Sequence, residues 1–118
     1  MSNLQSIILE QKELCRKYQA DFVHSSNDDK LGISLNVKGN KLPINGLRLY
    51  PDKGTSGWFI WAGEELSQDP DFFVPLHIEH VEEWVPNIIK FLGLAPGWRF
   101  LVAENYEDVW YDQEILNG

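Results

Sequence analysis

The sequence predicts a single α+β domain over residues 1–118, with a mainly antiparallel sheet of about five strands, an N-terminal helix and a broken helix before a C-terminal hairpin. Three observations carry this expectation. One apolar stripe of helical period opens the chain, several short segments alternate with period two between turn residues, and no repeated strand–helix alternation announces a parallel βαβ sheet. A length of 118 residues fits one domain, and 43% hydrophobic with 24% charged residues fits a chain that folds. A domain of this size hides about two-thirds of its unfolded surface, so it needs neither a disulfide nor a structural metal.

From Ser2 onward, Leu4, Ile7, Ile8, Leu14, Cys15 and Tyr18 share one helical stripe, and Ser2 with Gln5 has the spacing of a capping box. Arg16 and Lys17 suit the negative end of the helix dipole, so the helix is expected to close near Ala20. After the polar run 25–30, Leu31, Ile33, Leu35 and Val37 alternate as in a strand, and Lys38-Gly39-Asn40 marks a turn. Residues 44–50 make a second strand, closed by Pro51-Asp52-Lys53-Gly54. Residues 57–62 are bulky on both alternating faces, which places this third strand centrally. Gly63 ends it, and residues 68–71 form a loop before Phe72 and Phe73.

Residues 76–92 carry Ile78, Val81, Val85, Ile88 and Leu92 at helical spacing, but Pro86 interrupts the middle. Two short helices resolve the conflict, with Pro86 at the first position of the second, where its missing N–H costs nothing, and Gly93 as the stop. Pro96-Gly97 is a turn. Residues 98–103, with Trp98, Phe100 and Val102 on one face, then pair with residues 106–111 across Glu104-Asn105.

Charge is distributed unevenly. The chain holds 18 acidic and 10 basic residues, a net charge of −8; residues 1–63 carry 6 acids and 8 bases, whereas residues 64–118 carry 12 acids against Lys90 and Arg99 alone. Such a surface repels nucleic acid. No run of about 18 apolar residues suggests a membrane span, and no leader pattern is visible. With the single Cys15 unable to form an internal bridge, these features predict a soluble protein of a reducing compartment.

Few residues suggest catalysis. His77 and His80, three apart on an expected helix beside Glu79, Glu82 and Glu83, have metal-ligand chemistry, but their spacing matches no zinc template and no metal is expected. The acid pairs Glu64-Glu65, Glu82-Glu83 and Glu107-Asp108 read as solvated faces; on a strand, the last two would point to opposite sides. Cys15 on the apolar stripe is expected to be an inert core thiol, and Gly54, Gly57 and Gly63 fit no phosphate loop or dinucleotide fingerprint. No catalytic residue and no cofactor follow. Aromatic and acidic residues mixed together remain: Trp61 to Glu65, Asp69, Asp71 to Phe73, Glu82 to Trp84, and Tyr106 to Asp112. Most of these aromatics belong to the core of a small sheet domain, and the rest suit a binding face steered by carboxylates.

The order of landmarks across residues 31–112 is itself informative. It runs through Leu31-Gly32-Ile33-Ser34, Ser56-Gly57-Trp58, Ala62-Gly63-Glu64-Glu65, Asp69-Pro70, Val85-Pro86 before Ile88, Ile89 and Leu92, and Pro96-Gly97 before the hairpin. In this order the chain resembles the polymorphic-toxin immunity proteins of immunity family thirty-three. It departs at Ile60-Trp61-Ala62-Gly63, where many members end the strand in a Phe-Phe-Ser-Gly-like run, and in residues 74–80. The resemblance implies a cytoplasmic bacterial protein without cofactor that binds and neutralises a cognate toxin domain. On that basis the expected partner is a basic toxin domain, and the expected contacts are Glu64, Glu65, Asp69, Asp71, Glu82, Glu83, Trp84, Glu107, Asp108 and Trp110. The alternative is a general protein- or ligand-binding regulatory module using the same sheet and aromatics.

Overall fold

The computed structural model describes residues 4–39, 41–64, 67, 69 and 71–117. The first helix, α1 (Leu4–Tyr18), buries Gln11, Leu14 and Cys15, the inward positions of its stripe. It ends two residues before Ala20: Gln19 takes a left-handed φ of 60°, and the amide of Ala20 donates to the Cys15 carbonyl at 2.8 Å. The cap expected of Ser2 falls outside the described residues.

Six strands follow: β1 (Lys30–Ser34), β2 (Ile44–Arg48), β3 (Thr55–Ala62), β4 (Phe73–His77), β5 (Trp98–Ala103) and β6 (Tyr106–Tyr111). They form one sheet in the order β4-β1-β3-β2-β5-β6, parallel only between β1 and β3. β3 is interior, as its two bulky faces predict, and β5 and β6 form the expected hairpin. The mainly antiparallel α+β architecture stands. The sixth strand is a correction: Phe73–His77 pairs antiparallel with β1, so Leu76 and His77 lie in a strand and helical spacing begins only at Ile78. Val74 and Leu76 fit a strand face as well as a helical stripe, and sequence spacing alone does not separate the two.

β1 is also shorter than its apolar alternation predicts. It stops at Ser34, and residues 35–38 form a 3₁₀ turn, because the Asn36 side chain takes over the ladder. Its amide nitrogen donates to the Ala62 carbonyl at 2.9 Å, while its oxygen accepts from the Ala62 amide at 3.1 Å.

One face of the sheet carries the core. Leu31, Ile33, Ile44, Trp58, Ile60, Phe100 and Val109 face a layer made of α1, the short helix α2 (Val81–Trp84) and the 3₁₀ segment Pro86–Phe91. Pro86 occupies the start of that segment, as expected, and Phe91 stacks on Phe100 with centroids 4.4 Å apart. Gly46 makes room for this stack, since a Cβ there would overlap the Phe100 ring.

The segment after the 3₁₀ turn is a polar hub inside an apolar layer. The Leu92 carbonyl accepts from Trp58 Nε1 at 3.1 Å and Ser25 Oγ at 2.6 Å, and the Gly93 carbonyl accepts from the Val23 amide at 2.8 Å. Arg48, 1% exposed, donates through Nε to the Ser56 carbonyl and through Nη1 to those of Val23 and Leu94. Burial pushes its guanidinium down to about 10, so it remains charged at neutral pH. Chain segments with no apolar stripe of their own are thereby fixed to the sheet.

Candidate functional site

Residues opposed across a ladder point to the same side of a sheet, so the registers define the second face. One row runs Pro75, Gly32, Phe59, Leu47, Arg99, Trp110, and the next runs Phe73, then Trp61, Asn45, Leu101, Asp108. The helical layer sits on the opposite side. Of the elements on this side, the terminal 3₁₀ segment Gln113–Asn117 brings Ile115 up to Leu47 and Leu49.

The aromatic residues on this face form a herringbone cluster. Phe73 meets Phe59 at 5.2 Å and 74°, Trp61 at 6.3 Å and 82°, and Phe72 at 4.9 Å and 78°, all edge-to-face. Two shallow hollows flank the Phe59–Phe73 ridge. One, of about 250 Å³, lies over Gly32 and Gly57 beside Pro75; the other, of about 310 Å³, lies between Leu47, Leu49, Trp61 and Ile115. Gly32 is required there, because a Cβ would press into the Phe59 ring. Two buried donors on this face, Trp61 Nε1 and Arg99 Nε, find no acceptor among the described residues. The rest of the Arg99 head group is engaged: Nη1 pairs with Asp112 at 3.1 Å, and the guanidinium stands 5.3 Å from the Trp110 ring.

The end of β3 launches an acidic loop beside this cluster. Asn36 holds Ala62 from one side, Asn45 Nδ2 donates to the Gly63 carbonyl at 2.7 Å, and the Gly63 amide donates to the Pro43 carbonyl at 2.8 Å. Gly63 needs its φ of +93° to turn the chain out of the sheet. Glu64, Asp69 and Asp71 beyond it are exposed, and the Asp69 carboxylate accepts from the Asp71 amide at 2.9 Å, which shapes the return toward Phe72.

The ten contacts expected from sequence fall into separate places. Glu64, Asp69 and Asp71 share the loop; Glu65 lies outside the described residues. Asp108 and Trp110 lie on the second face, with the Asp108 carboxylate accepting from the Val109 amide at 2.9 Å. Glu107 points to the helical side, where Lys90 Nζ meets it at 2.9 Å. Glu82, Glu83 and Trp84 belong to α2; Glu83 meets His80 at 3.3 Å, and Lys38 Nζ lies 4.0 Å from the Trp84 ring. The structure therefore joins the loop acids with the aromatic face and sets the α2 trio apart.

Sequence reasoning passed over Phe59, Leu47 and Arg99 as members of this face. A signal was present: β3 is apolar on both alternating sides, yet the chain contains too little helix to cover both faces of a sheet. The histidine pair is also rearranged. His77 closes strand β4 and His80 lies in a 3₁₀ turn, with rings 6.4 Å apart, so they do not share the expected helix. No group of three potential metal ligands occurs among the described residues. Cys15 is 2% exposed with its thiol pushed up by burial, and no described helix is long and apolar enough to cross a membrane.

No curated protein and no solved structure matches the chain significantly. The order of landmarks seen in the sequence does have a counterpart at the family level: residues 10–112, from the middle of α1 to the end of the C-terminal hairpin, match the Imm33-like domain. The chain belongs to the Imm33-like domain family, and with it to immunity family thirty-three.

Proposed function

We propose that this chain is a non-enzymatic immunity protein that binds and neutralises a cognate, basic bacterial toxin domain through the second face of its sheet. The observation that carries this reading is the herringbone cluster there, with Phe59, Phe72 and Phe73 half-buried around a buried Trp61 and shallow hollows beside them, and the exposed carboxylates of Glu64, Asp69 and Asp71 at its margin. Aromatic anchors in shallow hollows supply most of the energy in many interfaces, and surrounding acids raise the rate at which a basic partner arrives.

Size helps define the footprint. Six strands about 4.8 Å apart and about 17 Å long present about 500 Å². A partner in a stable complex covers about 800 Å² on each side. The footprint therefore extends beyond the sheet, onto the acidic loop that holds Glu64, Asp69 and Asp71. Glu82, Glu83 and Trp84 on the opposite layer stand outside it.

The test is protection. A toxin domain encoded beside this chain's gene, found by sequencing the neighbouring genes, is expressed in a heterologous bacterium with and without the chain; growth restored by the chain, and a complex that purifies intact, support the reading. Growth arrest that the chain never relieves sinks it.

A further inference from the structure

We propose that the free edge of β6 is a strand-addition site, where an extended, lysine- or arginine-bearing segment of the partner pairs with the outward main-chain groups of Glu107, Val109 and Tyr111. The inference rests on the reading of a basic protein partner and adds how that partner is held.

The two edges of the sheet are built differently. β4 carries Pro75 at its centre. A proline in an edge strand turns its nitrogen to the open side, so this edge lacks a donor in its middle and resists extension. β6 has six residues with no proline and no lysine, and no described strand lies beyond it.

The direction of the β6 main chain follows from two hydrogen bonds. The Asp112 amide donates inward to the Gly97 carbonyl at 2.7 Å, and main-chain groups alternate along an antiparallel ladder. Asp108 and Trp110 therefore face β5, while Glu107, Val109 and Tyr111 face out. The Val109 amide confirms the alternation by donating to a side chain, the Asp108 carboxylate, at 2.9 Å. That carboxylate oxygen occupies the place where a neighbouring strand would present its carbonyl. A partner strand replaces one acceptor with another at Val109 and releases the Asp108 carboxylate to meet an incoming cation.

The side chains around this edge specify the occupant. On the second face Asp108 stands between Tyr106 and Trp110, while Glu107 and Asp112 are held by Lys90 and Arg99, so a strand that sets a cation against Asp108 and apolar residues against the two rings matches this edge. A second copy of this chain fits poorly: each copy carries a net charge of −8, and self-pairing brings the two sets of acids within one strand spacing.

A capped peptide of alternating lysine and valine, titrated into the full isotope-labelled chain, tests the site without the toxin. Chemical-shift changes and slowed exchange centred on the Glu107, Val109 and Tyr111 amides are expected. Glu107→Pro, which deletes an outward N–H but no bond to β5, weakens the peptide about tenfold. Lys90→Ala removes the same ion pair while keeping that amide, and binds as the parent does. Shifts centred elsewhere, no binding at millimolar peptide, or equal binding of a peptide N-methylated at alternate positions overturns the proposal. Sedimentation that shows a dimer abolished by Glu107→Pro overturns the choice of occupant. If the chain fails to protect cells from the toxin, the functional reading falls while the peptide result is still read independently.

Discussion

Arg48 Nη1 donates to the carbonyl of Leu94 at 2.7 Å, across a sequence separation of 46 residues, and places a cation inside the core with main-chain oxygens as its hydrogen-bond partners. The same nitrogen reaches Val23, so one side chain ties β2 to both connections that cross the core face. Replacing Arg48 by Met keeps apolar bulk but leaves the Ser56, Val23 and Leu94 carbonyls to find other donors. A loss of about 3 kcal/mol is expected from unsatisfied buried acceptors. Urea denaturation measures it, and a loss under about 1 kcal/mol contradicts the assigned role.

Gly46 is held to its identity by Phe100. A Cβ at that position overlaps the ring that stacks on Phe91, and the ring has a packed layer behind it. Gly46→Ala should cost about 1–3 kcal/mol through overpacking, and Phe100→Leu in the same chain should recover part of that cost. Strictly additive losses in the double variant would show that the two positions do not compete for space.

Cys15 links stability to alkaline pH. Its thiol titrates above its ordinary value of 9.0 in the folded state, chiefly because of burial. Above about pH 9 the unfolded thiol loses its proton first, so the folded state binds more protons and stability falls as pH rises. The stability contribution is complete below that pH. Cys15→Ala should remove this part of the slope, read from denaturation midpoints on either side of pH 9. Thiol reagents should label the parent protein only as fast as it unfolds.

Charge reversal separates the two acidic regions. Asp69→Lys with Asp71→Lys should slow association with the toxin domain about tenfold at low ionic strength, with a smaller effect at high salt. Glu82→Lys with Glu83→Lys, on the opposite layer, should change the rate less. Stopped-flow association at two salt concentrations decides the matter, and a larger effect from the α2 pair moves the docking face to the helical side.

Local sequence signals placed much of this protein. The stripe of α1, the alternation of β5 and β6 about Glu104-Asn105 and the break at Pro86 depend on residues within a few positions of one another, and the structure keeps all three. The acids and Trp110 of the candidate face were legible as residue types, and Trp61 as a bulky position. Their grouping was not, because it depends on strand order: β3 lies between β1 and β2, and only that arrangement brings Phe59 beside Leu47 and Phe73 beside Trp61. β4 was misread for a related reason, since Val74 and Leu76 satisfy either period until β1 is present to pair with them.

The sequence by itself determined the class of fold, most of the elements and the acidic character of the second half, because periodicity, turn chemistry and charge are local properties. Tertiary structure alone decided that β1 and β3 run parallel, that Arg48 is buried on carbonyls and that the α2 acids face away from the aromatic cluster. Each of those outcomes depends on which distant segments share one hydrophobic layer, and no local pattern records that choice.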